Sequence, residues 1–223
     1  DGEIIKAVGD TRFDRVYQKS LQAKERKLFK DGFFEGKKVF VLGSSWESDH
    51  EVMLPALMKL MKYDEKIITI IVPHEPTILH LEEVENTFSG KYDSIRFSYL
   101  NNYKGERVII IDSIGVLLTL YTYAQAAYVG GSFKQGIHNV LEPAVYGIPV
   151  LFGPKHQNSQ EAVHLTKIGG GICVYTKKDA YKNLRIIFSN EQLRMKLGKI
   201  CADYVKENIG ATSKILDEIY KFI

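Results

Sequence analysis

Hydrophobic residues in this sequence form short β-rich runs that alternate with longer runs of helical spacing. Apolar side chains recur at steps of three and four between Phe13 and Phe34, which predicts a first helix there. Later runs predict strands at residues 38–43, 67–72, 95–99, 108–111, 127–129, 148–152 and 172–175. Further helices are predicted at residues 52–61, 76–88, 114–123, 138–146, 159–167, 177–188, 190–208 and 212–222.

Residues at the helix ends refine two of these predictions. Ser48 or Asp49 is expected to cap the second helix, because short polar side chains accept from exposed amides there. Pro55 is expected near the first turn of that helix, where a missing N–H costs little. Asn158 or Ser159 is expected to cap the helix that follows residue 158.

The predicted strands are mostly apolar without alternation, as at residues 67–72 and 108–111. Strands of this kind are buried on both faces, and helices that join them cover a parallel sheet on both sides. Six or seven such strands predict an α/β fold with one doubly wound, mostly parallel, Rossmann-like sheet. Ligands of such folds bind beyond the carboxyl ends of the strands, so the residues after each strand are the candidates.

Composition excludes several classes of protein. The chain has 223 residues, of which 45% are hydrophobic and 26% charged, as in an ordinary soluble domain. The net charge of +3 arises in residues 1–40 and is too small to indicate nucleic-acid binding. Cys173 and Cys201 make neither a disulfide framework nor a zinc site, and the six histidines lack metal-ligand spacing. No apolar run has the length of a membrane span, so the sequence predicts no metal and no transmembrane helix.

The first two predicted strands end in short polar loops. Gly43 and Ser44 follow the first strand without a GxGxxG fingerprint, and Ser44 is able to donate to an anion or simply to cap the next helix. Pro73 and His74 follow the second strand, where His74 is a candidate for contact with a base or a phosphate. An exposed histidine without a ligand is the ordinary alternative.

The richest segment is Gly130–Pro143, which follows the fifth predicted strand and holds three glycines in its first seven residues. Asn139 suits a helix cap, and the amides of the next two residues would form a positive helix end for a phosphate. A carboxylate at Glu142 is able to accept hydrogen bonds from two ribose hydroxyls, although it also suits the helix dipole. One phosphate-and-ribose ligand explains the whole segment. Lys155, after the sixth strand, is a further candidate for a phosphate or a sugar acid.

These loops carry a family resemblance that covers essentially the whole chain. Gly9–Val16, Asp112–Gly115, Gly130–Pro143 and Gly153–Asn158 resemble motifs of the 3-deoxy-D-manno-octulosonic acid (Kdo) transferases of lipopolysaccharide synthesis. The resemblance implies the carboxy-terminal, donor-binding half of a GT-B glycosyltransferase, with residues 1–37 as interdomain segment and helix and residues 38–223 as donor domain. It implies a CMP-Kdo donor, inverting transfer to a lipid A precursor, and neither a cofactor nor a metal at the transfer step.

Site residues are carried over by this resemblance motif by motif. Pro73, His74 and residues 114–116 would hold the CMP, and residues 139–142 would bind its phosphate and ribose. The full set of expected donor-binding residues is Ser44, Pro73, His74, Ile114, Gly115, Val116, Gly131, Ser132, His138, Asn139, Val140, Leu141, Glu142 and Lys155. The catalytic carboxylate and the lipid groove are expected in an amino-terminal half outside this chain.

Several positions depart from the family pattern. The family's usual Pro-Arg-His-Pro is Pro-His-Glu-Pro from Pro73 onward, so an arginine expected at the phosphate is missing; Lys155 or Lys134 is the candidate replacement. Val116 stands in place of an acidic residue, and Ile137 and Val140 in place of Gly and Pro. The contacts to the donor are therefore expected to differ in detail.

The sequence thus predicts a donor-binding domain that is inactive by itself. The full-length enzyme is expected at the cytoplasmic face of the bacterial inner membrane, with membrane and lipid A contacts made by the other half and no nucleic-acid partner; the fragment alone is expected to be soluble. Two alternatives stay open at this point. One is another GT-B enzyme, a UDP-sugar transferase or epimerase, and the other is a non-catalytic nucleotide-binding module.

Overall fold

Strands and helices alternate along the described chain, as the hydrophobic pattern predicts. A computed structural model of the protein describes residues 7–134 and 136–221. Its elements up to the fifth strand are α1 (Thr11–Glu25), β1 (Lys38–Ser45), α2 (Glu47–Tyr63), β2 (Ile67–Pro73), α3 (Ile78–Phe88), β3 (Ser94–Arg96), β4 (Val108–Ile110), α4 (Leu117–Leu120) and β5 (Ala126–Val129). They are followed by α5 (Leu141–Ala144), β6 (Val150–Phe152), α6 (Gln160–Ile168), β7 (Gly171–Cys173), α7 (Lys177–Ser189), α8 (Glu191–Glu207) and α9 (Ala211–Ile219). Two 3₁₀ helices, Phe97–Asn102 and Tyr121–Tyr123, follow β3 and α4.

The strands form one sheet of seven in the order β3-β4-β2-β1-β5-β6-β7. Every neighbouring pair is parallel. The chain winds outward from β1 through β2 to one edge and then crosses to β5, so the winding reverses between β1 and β5. The prediction of a doubly wound, Rossmann-like sheet is confirmed.

Alternate residues of β1 show how the sheet is covered on both faces. Phe40 and Leu42 pack into a core with residues of α2, α3 and α7. Val39 and Val41 point to the opposite face and pack with the segment 28–34 and with α4. A third core lies over β5 and β6 and includes residues of α1, α5, α6 and α8. Burial on both faces accounts for the uninterrupted apolar strands of the sequence.

The first helix is shorter than predicted. It ends at Glu25, because Arg26 already has extended backbone angles, and the expected range to Phe34 was wrong. The apolar residues beyond it serve a different purpose: the Phe29 ring lies 5.0 Å from that of Phe33 and 4.7 Å from that of Phe34. This aromatic cluster packs on the sheet, and the continued helical spacing came from that packing.

The start of α2 also differs from the prediction. Trp46 is the N-cap residue, while Ser48 and Asp49 lie inside the first turn. Pro55 is the ninth residue of the helix, which places it in the interior and not near the first turn. The predicted cap of α6, Asn158 or Ser159, is Ser159, because its side chain accepts from the backbone N–H of Ala162 at 3.2 Å.

Three elements beside the carboxyl edge are shorter than the sequence predicts. The strand expected at 95–99 ends at Arg96 and continues as a 3₁₀ helix. The helix expected from Ile114 begins at Leu117, because Gly115 has a left-handed φ of 79° that no helix accommodates. The helix expected at 138–146 covers only Leu141–Ala144.

The amino-terminal helix is bonded to the rest of the fold. Arg12 forms an ion pair with Glu161 of α6. Asp14 accepts hydrogen bonds from the backbone N–H of Gly210 at 2.7 Å and of Thr212 at 3.2 Å, at the start of α9. The predicted boundary after residue 37 stays a prediction, and residues 1–6 and 222–223 lie outside the described residues. Within residues 7–134 and 136–221, no helix is long and apolar enough to cross a bilayer.

Candidate functional site

The expected site residues gather where the carboxyl ends of β1 and β5 meet. The backbone N–H of Gly130 donates to the carbonyl of Gly43 at 2.9 Å, which joins the two strand ends. The backbone N–H of His74, just after β2, donates to the carbonyl of Ser45 at 2.9 Å. Pro73 is buried at the end of β2 and lies opposite Ser45. The loops after β1, β2 and β5 therefore form one surface at the switch point of the sheet.

Glycine is required where these loops touch. A Cβ on Gly130 would lie 2.1 Å from the Ser44 carbonyl oxygen, and a Cβ on Gly43 would lie 2.2 Å from the Tyr121 hydroxyl. Ser44 itself has a left-handed φ of 49°, which is uncommon outside glycine. The backbone in this region is packed to contact and holds one defined conformation.

A buried carboxylate, Asp49, joins the two loops. Its Oδ2 accepts from the backbone N–H of Trp46 and of Gly131, each at 2.9 Å, and its Oδ1 accepts from the Tyr128 hydroxyl at 2.7 Å. Burial raises the pKa of Asp49, and these three hydrogen bonds oppose the shift. The sequence suggested only a helix cap at Asp49; its bond back to the Trp46 amide is the capping-box signal three residues past the N-cap.

Three aromatic rings, those of Trp46, His74 and His138, lie in contact with one another. The Trp46 indole Nε1 donates to His138 Nε2 at 3.1 Å. The His74 ring stacks on Trp46 with centroids 4.5 Å apart and on His138 with centroids 4.4 Å apart. Burial lowers the pKa of His138, and the neighbouring His74 adds to the shift. The sequence marked both histidines as candidates but missed Trp46.

Gly131 and Ser132, two of the expected residues, are buried and used inside the protein. The Ser132 hydroxyl accepts from the backbone N–H of Gly153 at 2.5 Å, and its carbonyl accepts from the backbone N–H of Lys155 at 2.8 Å. The Gly131 amide is taken by Asp49. The Lys155 side chain is exposed and forms no ion pair within residues 7–134 and 136–221.

The start of α5 carries the expected phosphate-and-ribose residues. Asn139 Oδ1 accepts from the backbone N–H of Leu141 at 3.1 Å, and Asn139 Nδ2 donates to Glu142 Oε1 at 3.3 Å. The side chains of Val140 and Leu141 are buried, so only their backbone is able to meet a ligand. Burial raises the pKa of Glu142, while Asn139 and the charges of two α1 residues, Lys19 and Arg15, oppose it.

Glu142 also lines a cavity of about 400 Å³ between α1 and the turn after β4. Its walls are Lys19, Gln22, Ala23, Arg26, Gly115, Leu117, Leu118, Thr119 and Glu142. Arg26 Nη1 donates to the carbonyl of Gly115 at 3.2 Å and links the two walls. The contribution of α1 to this cavity was not foreseen from the sequence.

The turn after β4 presents its expected residues unequally. Ile114 is 87% exposed, whereas Val116 is buried in the core. Gly115 is exposed, and nothing lies within 4 Å of the position that a Cβ would take. Ile114 and Gly115 are therefore accessible to a ligand in this structure, whereas the Val116 side chain is not.

The arrangement combines a cavity of nucleoside size with groups that bind anions. The cavity offers a carboxylate and two cations, and the neighbouring loops offer backbone amides and an imidazole. No group of three or more His, Cys, Asp or Glu side chains able to hold a metal occurs in the part of the chain that the structure describes. The candidate residues thus form two adjoining parts, the ring cluster and the cavity, connected by the segment 139–142.

Comparison with known sequences gives relatives of one main kind. No protein-family model matches the chain. It is 32% identical over 165 residues to a 3-deoxy-D-manno-octulosonic acid transferase of Chlamydia pneumoniae, which covers 70% of this chain and 36% of that protein. It is 28% identical over 214 residues to the transferase of the same name from Aquifex aeolicus, which covers 84% of this chain and 58% of that protein.

A bifunctional glycosyltransferase/methyltransferase of Fusobacterium nucleatum is a further relative. It is 31% identical over 161 residues, which cover 70% of this chain and 24% of that protein. Across these three relatives the chain therefore spans between 24% and 58% of the relative's length.

Solved structures agree on the fold. The C-terminal CMP-Kdo binding domain of WaaA from Acinetobacter baumannii superposes with a TM-score of 0.67 at 23% identity, covering 85% of this chain and 97% of that domain. The C-terminal domain of the glycosyltransferase LpcC from Francisella tularensis gives a TM-score of 0.56 at 13% identity, covering 86% of this chain and 91% of that domain. The Rossmann-like GT-B prediction is confirmed. Sequence relatives and fold together show that this chain belongs to the 3-deoxy-D-manno-octulosonic acid transferase family.

Proposed function

We propose that this chain is the donor-binding domain of a glycosyltransferase of lipopolysaccharide synthesis and that its donor is CMP-Kdo. The curated relatives named as transferases of this sugar support the choice of donor, as does the similar domain from A. baumannii. The proposal extends to the longer protein, in which the remaining part would bind a lipid A precursor at the cytoplasmic face of the inner membrane.

The observation that carries the proposal is the cavity that Glu142 and Gly115 line together. A volume of about 400 Å³ lies within the usual range for small-ligand sites. The Glu142 carboxylate would accept from the two ribose hydroxyls, as an ionised carboxylate does well. Ile114 and Gly115, at the open end of the turn, would contact the base, which the left-handed backbone of Gly115 allows to approach closely.

The phosphate would lie toward the ring cluster, next to the start of α5. The backbone amides of Asn139 and Val140 and the imidazole of His138 are donors on that side, whereas the Leu141 amide already donates to Asn139 Oδ1. Lys155 is an exposed cation whose backbone N–H donates to the carbonyl of the buried Ser132. In an inverting transfer the acceptor hydroxyl attacks the anomeric carbon while the bond to the CMP phosphate breaks. Donors already in place would stabilise the negative charge that develops on the departing CMP. The base that accepts the hydroxyl proton is assigned to the amino-terminal part.

A thermal-shift comparison tests the donor. Each of CMP and UDP, at concentrations well above its dissociation constant, should raise the melting temperature only if it binds the folded state. We expect a clear shift with CMP and a much smaller one with UDP. A shift with UDP alone would contradict the proposal and favour a UDP-sugar enzyme, a rival suggested by the shared fold of UDP-bound MnaA from Staphylococcus aureus, at 15% identity and a TM-score of 0.61.

A further inference from the structure

Trp46 occupies a fixed position at the start of α2. Its backbone N–H donates to Asp49 Oδ2 at 2.9 Å, and the same oxygen accepts from the Gly131 amide at 2.9 Å. The Asp49 side chain is fully buried, so these two hydrogen bonds to one oxygen are shielded from water. Asp49 therefore ties the backbone of Trp46 to the loop after β5, which carries His138.

The indole fixes the protonation of His138. Indole Nε1–H is a donor only, so His138 Nε2, which accepts from it at 3.1 Å, carries no proton. A neutral imidazole then has its proton on Nδ1. Within residues 7–134 and 136–221 no group accepts a hydrogen bond from that Nδ1–H. The His138 imidazole thus has one N–H donor at the carboxyl edge that no described residue uses.

The His74 ring stacks on both of these rings. Its plane lies at 28° to the indole plane with centroids 4.5 Å apart, and at 19° to the imidazole plane with centroids 4.4 Å apart. The titratable group packed on His138 is His74, whose charge would disfavour a second charge beside it. Asp49 is bonded to the backbone N–H groups of Trp46 and Gly131 and to the Tyr128 hydroxyl, and not to the imidazole. The stack therefore favours an uncharged His138 with a single defined donor.

We propose that Trp46 is a positioning residue: it selects the Nδ1–H form of His138 and holds that N–H for an oxygen of a bound nucleotide's phosphate. The inference rests on the proposed function, because it names the group that the His138 donor meets. Phosphate oxygens are strong acceptors, and His138 directly precedes the segment 139–142 that would hold the same phosphate. Trp46 itself touches no ligand in this account.

Trp46→Phe tests the inference, because phenylalanine keeps an aromatic face for His74 and removes the indole N–H. Nitrogen-15 NMR of the imidazoles of the 223-residue chain should show His138 protonated at Nδ1 in the wild type and redistributed toward Nε2 in the variant. Calorimetric titration with CMP should show an affinity about tenfold lower in the variant, as expected for one lost hydrogen bond to a charged oxygen. Tyr63→Phe, at the far end of α2 and exposed, is the matched control and should change neither readout.

The outcomes separate the two proposals. A wild-type His138 protonated at Nε2, or an unchanged CMP affinity in Trp46→Phe, overturns the positioning role while leaving CMP binding intact. A wild-type chain that does not bind CMP overturns the proposed function and, with it, the ligand assigned to His138. The wild-type spectrum needs no variant, so a poorly folded Trp46→Phe does not remove the test. His74→Asn, which opens the stack but spares the indole bond, should leave the Nδ1–H form in place.

Discussion

The carboxyl edge of the sheet has two unlike sides. The bonded side, residues 43–50 and 128–132, is closed by short backbone contacts and by a buried carboxylate that accepts three hydrogen bonds. The open side, the turn 114–116 with the facing residues of α1, surrounds the cavity. Ile114 is 87% exposed there, and no atom lies within 4 Å of the position that a Cβ on residue 115 would take. The bonded side follows β1 and β5 and the turn 114–116 follows β4 in the same parallel sheet, and both sides contain glycine.

The difference separates two requirements of a binding site. Groups that meet a charged phosphate act best when they are already oriented, and the bonded side holds its amides and rings by contacts that a ligand need not supply. A nucleoside must also enter and leave, and the open side provides the space. We infer that the bonded side determines stability and the geometry of the phosphate contacts, while the open side admits and holds the nucleoside.

The largest effect is expected from a methyl group on the bonded side. Gly130→Ala places a Cβ 2.1 Å from the Ser44 carbonyl oxygen, and a backbone group is unable to move away cheaply. We expect a loss of unfolding free energy of about 3 kcal/mol or more. Urea unfolding followed by circular dichroism measures it.

Gly115→Ala is the matched control on the open side. Its Cβ meets nothing within 4 Å, so the cost is that of a left-handed alanine, about 1 kcal/mol. CMP affinity should fall in this variant if Gly115 contacts the base. Equal destabilisation of the two variants would refute the division into a bonded and an open side.

The next largest effect is expected from acid, which should lower the unfolding free energy through the bonded side. Burial lowers the pKa of His50 to about 4, and its Nε2 lies 2.8 Å from the Ser45 hydroxyl. Because the unfolded histidine titrates near 6.5, the neutral folded form contributes stability that is complete above that pH and is lost as the pH falls toward 4. The loss is about 3 kcal/mol, from the size of the shift. Urea unfolding at several pH values should show a shallower acid loss in His50→Gln, whereas parallel profiles would contradict the assignment.

The sequence predicted the fold well because its signals are local and additive. Uninterrupted apolar runs such as Ile67–Val72 require burial on both faces, and helices between them leave a parallel sheet as the solution. The errors fell where another force produces the same spacing. Phe29, Phe33 and Phe34 recur like a helix face but pack as an aromatic cluster after the helix has ended.

The site was predictable only in part, because its contacts join residues distant in sequence. The loops after the strands pointed to His74, His138 and Glu142. No local pattern reveals that Trp46 donates to a ring 92 positions later, or that α1 forms one wall of the cavity. Such pairings follow from the crossing of the chain between β4 and β5, which only the folded structure displays.

A smaller effect, confined to binding, is expected at Glu142. Glu142→Gln keeps a partner for Asn139 but removes the ionised carboxylate, so CMP affinity should fall about tenfold with little change in melting temperature. Cytidine monophosphate without its ribose 2′ and 3′ hydroxyls sharpens the test. The wild type should bind it more weakly than CMP, and Glu142→Gln should bind both alike. Persistent discrimination in the variant would exclude the ribose role, and Glu207→Gln, at the end of α8, is the charge-matched control.

The smallest effect is expected from Arg26, the residue that directly follows α1 on the open side. Arg26 lines the cavity and is exposed, so its attraction for a nucleotide phosphate is screened by water and salt. Arg26→Gln should lower CMP affinity about twofold to threefold at low salt, and the difference should shrink at about 0.3 M salt. Lys27→Gln removes the same charge from the next residue, which pairs with Asp31 at 2.8 Å and does not line this cavity. Because residues 1–37 were predicted from the sequence to be an interdomain segment and helix, a salt-dependent loss specific to Arg26 would make this segment part of the binding site as well. An equal effect of the two variants would instead reduce the role of the segment to its net charge.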